Sequence, residues 1–290
     1  QGRDVMARLM AGGRISLLIG ASSMLIGLVL GSGIGLLAAQ CRGWVEALCM
    51  RFVEPLLARI NRAAADLVVV TGDLTHRGRP GQYGLAADFL SRITAPVLSV
   101  PGNHDVPLYN IPVRFLIPWR GYRLAINPDL DPAGVAGRVR VLGLNSVDPF
   151  AWQRGVIRDG EIARLTASLD PLAVNIVALH HPLQHMPGVD KELAARAPQL
   201  LRRLEAAGVS MVFSGHLHVW SAANLLDHGH RRILQVQAGT ALCARESDRQ
   251  NEFAVLDIDG DEAVIASVGN PDAPARIDSQ SPGGPELVRA

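Results

Sequence analysis

The sequence predicts an α/β domain whose sheets are covered on both faces, and three observations support this fold class. Short uninterrupted apolar runs alternate with amphipathic stretches along most of the 290 residues. Such runs are typical of strands buried on both faces, and the stretches between them show helical periodicity. The length allows one large domain or two small ones with a sizeable core. The three cysteines are too few and too irregular for a disulfide-stapled scaffold.

The N-terminal segment, residues 1–43, contains a long apolar run. No charged residue occurs between Arg14 and Arg42, and residues 15–39 would form a helix of about 37 Å. Since that length spans a bilayer core, we predict a transmembrane helix over 15–39 that anchors the protein in a membrane, with its orientation left open. A buried first strand over 14–19 is one alternative. The other is an N-terminus that is not native, in which case a cytoplasmic protein is expected.

The predicted domain covers residues 44–269 and begins with helical periodicity over 44–64, which Pro55 interrupts. Five apolar strands are predicted at 67–70, 97–100, 139–144, 176–179 and 211–213, and three helices at 85–92, 159–169 and 191–207. Strands at 232–237, 252–258 and 262–268 follow, and the turn Asp259-Gly260-Asp261 indicates an antiparallel hairpin. Residues 270–290 are rich in Pro, Gly and Ser and predict a disordered tail.

The composition bears on the partners. With 28 basic and 27 acidic side chains the formal charge is +1, and only 4% of residues are aromatic. A near-neutral, aromatic-poor chain lacks both the positive field and the stacking surfaces of nucleic-acid-binding modules. No nucleic-acid partner is expected.

Four of the apolar strands run directly into polar turns. The turns are Gly72-Asp73, Gly102-Asn103-His104-Asp105, His180-His181-Pro182 and Gly215-His216-Leu217-His218. Because functional groups collect beyond the carboxyl ends of the strands in an open α/β sheet, these side chains should meet at one rim. Oxygen and imidazole ligands without sulfur suit Mn, Fe, Zn or Co better than a structural zinc site. The sequence therefore predicts a transition-metal site.

This ordered series resembles that of the calcineurin-like metallophosphoesterase superfamily. The stretches DLVVVTGDLTHRGRP, APVLSVPGNHDVPLYN, VLGLNS and VQAGTA are similar to its class III cyclic nucleotide phosphodiesterase branch. The likeness covers roughly residues 45–268. It implies a four-layer α/β/β/α sandwich with two divalent transition metals at the rim of the sheets, and hydrolysis by a metal-held hydroxide.

The resemblance also implies roles for individual residues. Asp73 would bridge the two metals, and His218 would bind one of them. The shell of the other metal would be completed by Asn103, His180 and His216. His104 would face the substrate, and Asp105 would orient it and raise its pKa. His181 would lie beside the metal shell or on the rim.

The chain departs from the family at the first motif, Asp-x-His, whose two residues bind the second metal. No Asp or His occurs between Asp4 and Asp66, so the second metal keeps only Asp73 and His218. His76 is a candidate third ligand, by analogy with the metal-binding tyrosine of purple acid phosphatases. The alternative is a loop histidine that faces solvent or substrate. The second site is expected to be incomplete.

Two further residues are candidates for binding the substrate. His185 would line the cleft, and Arg114 would face the anionic ester. The resulting hypothesis is a metal-dependent phosphoesterase that hydrolyses small-molecule phosphodiesters, such as cyclic nucleotides. The alternative is a catalytically degenerate, membrane-anchored protein that binds a metal or a nucleotide. Whether the chain forms a homodimer is left open.

Overall fold

The fold is seen in a computed structural model that describes residues 24, 53–185, 191–224, 233–241, 253–259, 262–268 and 288–289. The chain divides into two units, Gln1–Glu54 and Pro55–Ala290. The span predicted over 15–39 lies outside the described residues except for Met24, and so does most of the predicted tail. No helix in the described part of the chain is long and apolar enough to cross a bilayer.

The described part of the chain contains helices and strands in alternation. In chain order they are α1 (53–62), β1 (Val68–Val70), α2 (Pro80–Ser91), β2 (Val97–Ser99), α3 (Ile111–Leu116), α4 (Arg120–Ala125), β3 (Ala133–Ala136), β4 (Val139–Leu144), α5 (Asp159–Ala167), β5 (Val174–Leu179), α6 (Ala197–Ala206), β6 (Val209–Ser214), β7 (Ser221–Asn224), β8 (Leu234–Gln237), β9 (Phe253–Asp259), β10 (Glu262–Val268) and β11 (Val288–Arg289).

The strands form three sheets. The largest has the order β3-β4-β5-β6-β8-β7, with a parallel centre from β4 to β8 and antiparallel edge strands β3 and β7. Strands β1 and β2 pair in parallel, and β9, β10 and β11 form an antiparallel sheet. The predicted hairpin between β9 and β10 is therefore present. The two residues of β11 fall within the segment predicted to be a disordered tail.

Alternate residues of the central strands enter different cores. Val141 packs with Leu98 of β2, Ile176 of β5 and Leu256 of β9, so the sheets lie face to face. Its neighbour Leu142 points to the other face, where α5 and α6 cover the large sheet. This two-residue alternation, with both faces buried, is the reason why these strands read as uninterrupted apolar runs.

Helices also lie beside the small parallel sheet. Tyr83 of α2 and Tyr122 of α4 share a buried cluster, and the Tyr122 hydroxyl donates to the carbonyl of Ser99 in β2 at 3.0 Å. Helices therefore flank both sheets. The predicted α/β class, with two facing sheets and helices on their outer faces, is confirmed.

Several predicted element bounds are corrected by backbone geometry. The helix expected over 191–207 begins only at Ala197, because Arg196 adopts a left-handed conformation with φ of 62° and Pro198 occupies the first turn. Helix α2 begins at Pro80 rather than at residue 85, since proline is well suited to the first helical turn. The short elements α3, α4 and β3 are too brief to produce a recognisable period in the sequence.

Candidate metal centre

Four strand ends of the two facing sheets meet at one rim. Asp73 follows β1, Asn103 follows β2, His180 follows β5 and His216 follows β6. The turns approach so closely that a Cβ on Gly72, whose φ is 95°, would lie 2.6 Å from the backbone nitrogen of Gly102. Only glycine fits there. The approach brings together side chains that are far apart in the chain.

Four ligand atoms form a tight cluster at this rim. The Asn103 Oδ1 atom lies 2.9 Å from His180 Nε2 and 3.1 Å from His216 Nδ1. His180 Nε2 lies 3.2 Å from His216 Nδ1 and 3.4 Å from Asp73 Oδ1. Ligands bound at 2.0–2.2 Å in octahedral or tetrahedral geometry are about 3.0–3.5 Å apart. The donor set therefore fits one divalent transition metal, with the four residues that the sequence predicted.

The orientation of His180 is set by its other ring nitrogen. Its Nδ1 lies 2.7 Å from the carbonyl oxygen of Thr71. Since a carbonyl can only accept, Nδ1 carries the proton, and Nε2 is the ring nitrogen that faces Asp73 and Asn103. A metal-binding imidazole commonly has such a partner, which sets the tautomer.

The electrostatics of the cluster favour the metal-binding protonation states. Burial, followed by the proximity of His180 and Lys191, lowers the pKa of His216 to about 3. Burial by itself would raise the pKa of Asp73, but His180, His104 and the backbone N–H of His104 together hold it below its usual value. A neutral imidazole and an ionised carboxylate are the forms that bind a divalent cation.

His181 lies closer to this cluster than the sequence indicates. Its side chain is fully buried, and its Nδ1 contacts Ser146 Oγ at 2.9 Å. One ligand atom from each of His180, His181 and His216 lies within 4.8 Å of the others. The Nε2 atom of His181 has no hydrogen-bond partner within the described part of the chain. It is thus an additional candidate ligand, and the second His of the His-His-Pro turn is its only sequence signal.

Two further residues that hold the His216 turn were missed by the sequence analysis. Lys191 Nζ donates to the backbone carbonyl of His216 at 2.5 Å, and Gln237 Nε2 donates to the carbonyl of Gly215. These contacts secure a turn in which His216 and His218 both have positive φ, 70° and 60°. Such backbone is strained for non-glycine residues and needs support from its surroundings.

The structure corrects the role expected for Asp105. Its fully buried carboxylate accepts the backbone N–H groups of Thr75 at 2.7 Å, Gly102 at 2.9 Å and Leu74 at 3.2 Å. It therefore joins the turn after β1 to the turn after β2 and does not orient His104. Burial, and next the charge of Asp73, raise the pKa of Asp105 to about 7.

His104 is oriented by a carbonyl. Its Nδ1 donates to the backbone oxygen of His76 at 2.7 Å, and its own backbone N–H donates to Asp73 Oδ1 at 2.9 Å. The half-buried imidazole consequently keeps Nε2 available for a substrate. The His76 ring stacks on it, with centroids 5.5 Å apart. His76 thus lies beside the residue expected to face the substrate, and its role as a metal ligand stays a prediction.

The structure places the other three candidates in different surroundings. Arg114 is buried, and its Nε donates to the carbonyl of Pro149 at 2.8 Å while Nη1 donates to that of Pro107 at 3.3 Å. This corrects the expectation that Arg114 faces an anionic ester, because its guanidinium joins α3 to the loop at 148–152. His218 is half-buried in the turn after β6, and His185 is exposed. Their roles stay predictions.

The fold and this donor set together define a metal-dependent phosphoesterase. The calcineurin-like phosphoesterase family matches residues 49–220, more than half of the chain, and the protein belongs to this family. It is therefore a hydrolytic enzyme whose family uses divalent metals.

One relative agrees with this assignment, and one solved structure agrees with the fold. The chain is 25% identical over 171 residues to a "Probable cyclic nucleotide phosphodiesterase" of Vesicomyosocius okutanii, a match that covers 57% of this chain and 68% of that protein. In fold, it is similar to a dimetal phosphatase from Danio rerio, with a TM-score of 0.55 and 16% identity over 76% of this chain and 86% of that one.

A second kind of relative matches a short stretch. The chain is 42% identical over 57 residues to the glutathione transport system permease protein GsiD of Pectobacterium atrosepticum. That match covers 20% of this chain and only 19% of the permease.

Proposed function

We propose that the protein hydrolyses small-molecule phosphodiesters, cyclic nucleotides among them. The observation that carries this proposal is the cluster of Asp73, Asn103, His180 and His216 ligand atoms beside His104. The relative named as a cyclic nucleotide phosphodiesterase supports the substrate class.

The residues at the rim suit this reaction. A divalent metal ion held by the four ligand atoms would supply Lewis-acid activation of water and of the phosphoryl oxygens. Asp73, His180 and His216 would hold that ion, and Asn103 would add a neutral oxygen. His104 has one ring nitrogen fixed on the His76 carbonyl. Its Nε2 is therefore the atom that would exchange a proton with the leaving oxygen.

The test is turnover of a chromogenic phosphodiester by the purified chain with added Mn²⁺. His216→Gln should abolish it, because a cluster ligand is lost. Leu172→Gln is the matched control, since this exposed residue precedes β5 while His180 follows it at the opposite end. A faster reaction on the corresponding phosphomonoester would reject the diester assignment.

The alternative, a catalytically degenerate metal-binding protein, gives a different result in the same experiment. In that case calorimetry would show Mn²⁺ binding that His216→Gln removes, while neither protein turns over any ester. Conversion of cyclic AMP to AMP, followed by phosphorus NMR, would reject this alternative outright.

We further propose that the likeness to the permease belongs mainly to residues 1–54, which would carry a membrane-spanning segment. The match has 57 residues, slightly more than the 54 of the first unit, Gln1–Glu54, and this unit contains the uncharged run between Arg14 and Arg42. Such a segment would occupy the place where the family carries its Asp-x-His strand.

Carbonate extraction of the expressed full chain tests this second proposal. The native chain should stay in the membrane fraction, and the double variant Ile26→Arg with Leu28→Asp should be released, because charge at the centre of a span is costly. Release of the native chain would contradict the proposal.

A further inference from the structure

A group of large apolar side chains is exposed beside the metal centre. It consists of residues on α3, in its flanks and in the loop 148–152, here called the α3 surface: Tyr109, Ile111, Leu116, Ile117, Phe150 and Trp152. Leu116 is 79% exposed, Phe150 68% and Tyr109 63%. Single exposed apolar residues are ordinary, whereas a contiguous patch of this kind marks an interaction site.

Direct contacts join the loop part of the α3 surface to helix α3. The Phe115 ring of α3 stacks on the Phe150 ring of the loop, with centroids 4.9 Å apart. The buried Arg114 guanidinium lies 4.4 Å from the Trp152 ring and donates to the Pro149 carbonyl. Arg114 thus holds the loop against the helix while Phe150 and Trp152 face outward.

The α3 surface borders the rim of the metal centre. The Arg77 guanidinium lies 4.9 Å from the Tyr109 ring, and Arg77 directly follows His76, whose ring stacks on His104. On the other strand end, Asp105 is followed within two residues by Pro107, whose carbonyl accepts a hydrogen bond from Arg114. A partner bound at this surface would therefore lie next to the metal centre.

The exposed charges on α3 and α4 are basic, whereas Asp129, Asp131, Asp148 and Glu161 line a cavity on the other side of Phe150, together with Arg123 and Arg158. Between Asp105 and Asp129 the only charged residues are Arg114, Arg120 and Arg123, of which the last two are exposed. The loop adds the exposed Arg154. The acidic residue of the loop, Asp148, forms an ion pair with Arg158 at 3.1 Å.

We propose that the α3 surface docks on a bilayer that contains anionic phospholipid. Exposed aromatic and aliphatic side chains next to arginine suit the boundary between acyl chains and acidic headgroups. Leu116 and Phe150 would enter that boundary, while Arg120, Arg123 and Arg154 contact the headgroups. The docked orientation would place the metal rim at headgroup level, and only the consequence that it reaches membrane-borne phosphoesters rests on the proposed function.

Site-specific photocrosslinking in the full chain tests the docking. The photoreactive residue p-benzoylphenylalanine is introduced at Leu116, at Phe150 or, as a control, at Leu172, which is 84% exposed. Vesicles contain phosphatidylcholine alone or equal parts of phosphatidylcholine and phosphatidylglycerol. We expect lipid adducts at positions 116 and 150 but not at 172. On phosphatidylcholine alone the yield of adducts should fall at least about tenfold, since each basic residue near an anionic surface raises the membrane affinity about fivefold.

Two results would overturn the proposal. Lipid adducts at Leu116 and Phe150 no more frequent than at Leu172 would show that the α3 surface does not meet the bilayer. Chain-to-chain adducts at both positions would show that a second copy of the chain covers it. Readout at individual positions separates this docking from any insertion of residues 15–39.

A variant pair gives an independent check. Leu116→Glu combined with Phe150→Ser should remove most lipid crosslinking from the reporter placed at Trp152. Hydrolysis of a soluble chromogenic diester should stay unchanged, since neither residue lies in the metal cluster. Undiminished crosslinking at position 152 would contradict the proposal, and the unchanged activity would show that the variant is folded.

Discussion

His180 donates from Nδ1 to the carbonyl of Thr71, 2.7 Å away, although 109 positions separate the two residues in the chain. This hydrogen bond joins the end of β5 to the end of β1, which belong to different sheets. It leaves Nε2 directed at Asp73 and Asn103. The contact between the two sheets therefore also determines which atom of His180 is available to a metal.

We expect His180→Ala to weaken Mn²⁺ binding by more than about 100-fold. Loss of residues that only support metal ligands costs about 10–100-fold, and this substitution removes a ligand together with its support. Isothermal titration calorimetry of the metal-free protein measures the change. An affinity within about threefold of the native value would exclude His180 from the metal site, provided that Leu172→Gln also binds normally.

Asp105→Asn should act on stability first. The carboxylate accepts three backbone N–H groups, and an amide offers one oxygen and an NH₂ group that faces those donors. We expect a loss of about 2–3 kcal/mol in the free energy of unfolding. Urea denaturation of the metal-free protein measures it. A fall in kcat at unchanged stability would instead support the catalytic role that the sequence suggested.

His76→Ala tests the predicted ligand of the depleted second metal. His104 bonds to the backbone carbonyl of His76, so this contact survives the substitution. We expect the number of bound metal ions per chain, measured by plasma mass spectrometry, to fall at saturating Mn²⁺ while the first ion stays bound. An unchanged number would assign His76 to the surroundings of the substrate.

Gly155 is a test of the space around His181. A Cβ at this position would lie 2.6 Å from His181 Cγ, so Gly155→Ala must displace the imidazole. Overpacking of this kind costs about 1–3 kcal/mol. Gly160→Ala in α5 is the matched control, because nothing lies within 4 Å of its added Cβ. Thermal unfolding should separate the two variants, and equal stabilities would contradict the observed packing.

Asp131 should make stability depend on pH. Burial raises the pKa of its carboxyl above 3.8, and the nearby Glu161 and Asp129 add to this. Ionising this carboxyl therefore costs free energy in the folded state. The contribution of Asp131 to stability is present while the carboxyl is protonated, and it is lost as the pH rises through the raised pKa. The Asp131→Asn variant keeps an oxygen that can accept the N–H of Asn145. It should gain on the native protein as the pH rises above about 4, where the carboxyl of the unfolded chain ionises, in urea midpoints measured with a chelator. A constant difference would contradict the raised pKa.

Much of the candidate site could be predicted from local sequence. Asp73, Asn103, His180 and His216 each follow an apolar strand, and the strand and its polar turn are contiguous in the chain. Because parallel strands place their carboxyl ends at one edge, their convergence follows from the strand pattern. The surroundings of Asp105, Arg114 and His181 were not predictable in this way, since each depends on partners from other segments.

The sequence by itself determined the α/β class, the positions of its buried strands along the chain and the residues that reach the rim. The reason is that apolar runs, glycine turns and polar breaks express local backbone and burial preferences. Only the tertiary structure decided that Asp105 joins two turns, that Arg114 is buried beneath Trp152 and that His181 approaches the metal cluster. Hydrogen-bond partners and burial depend on which distant segments pack together, and a linear pattern does not record this.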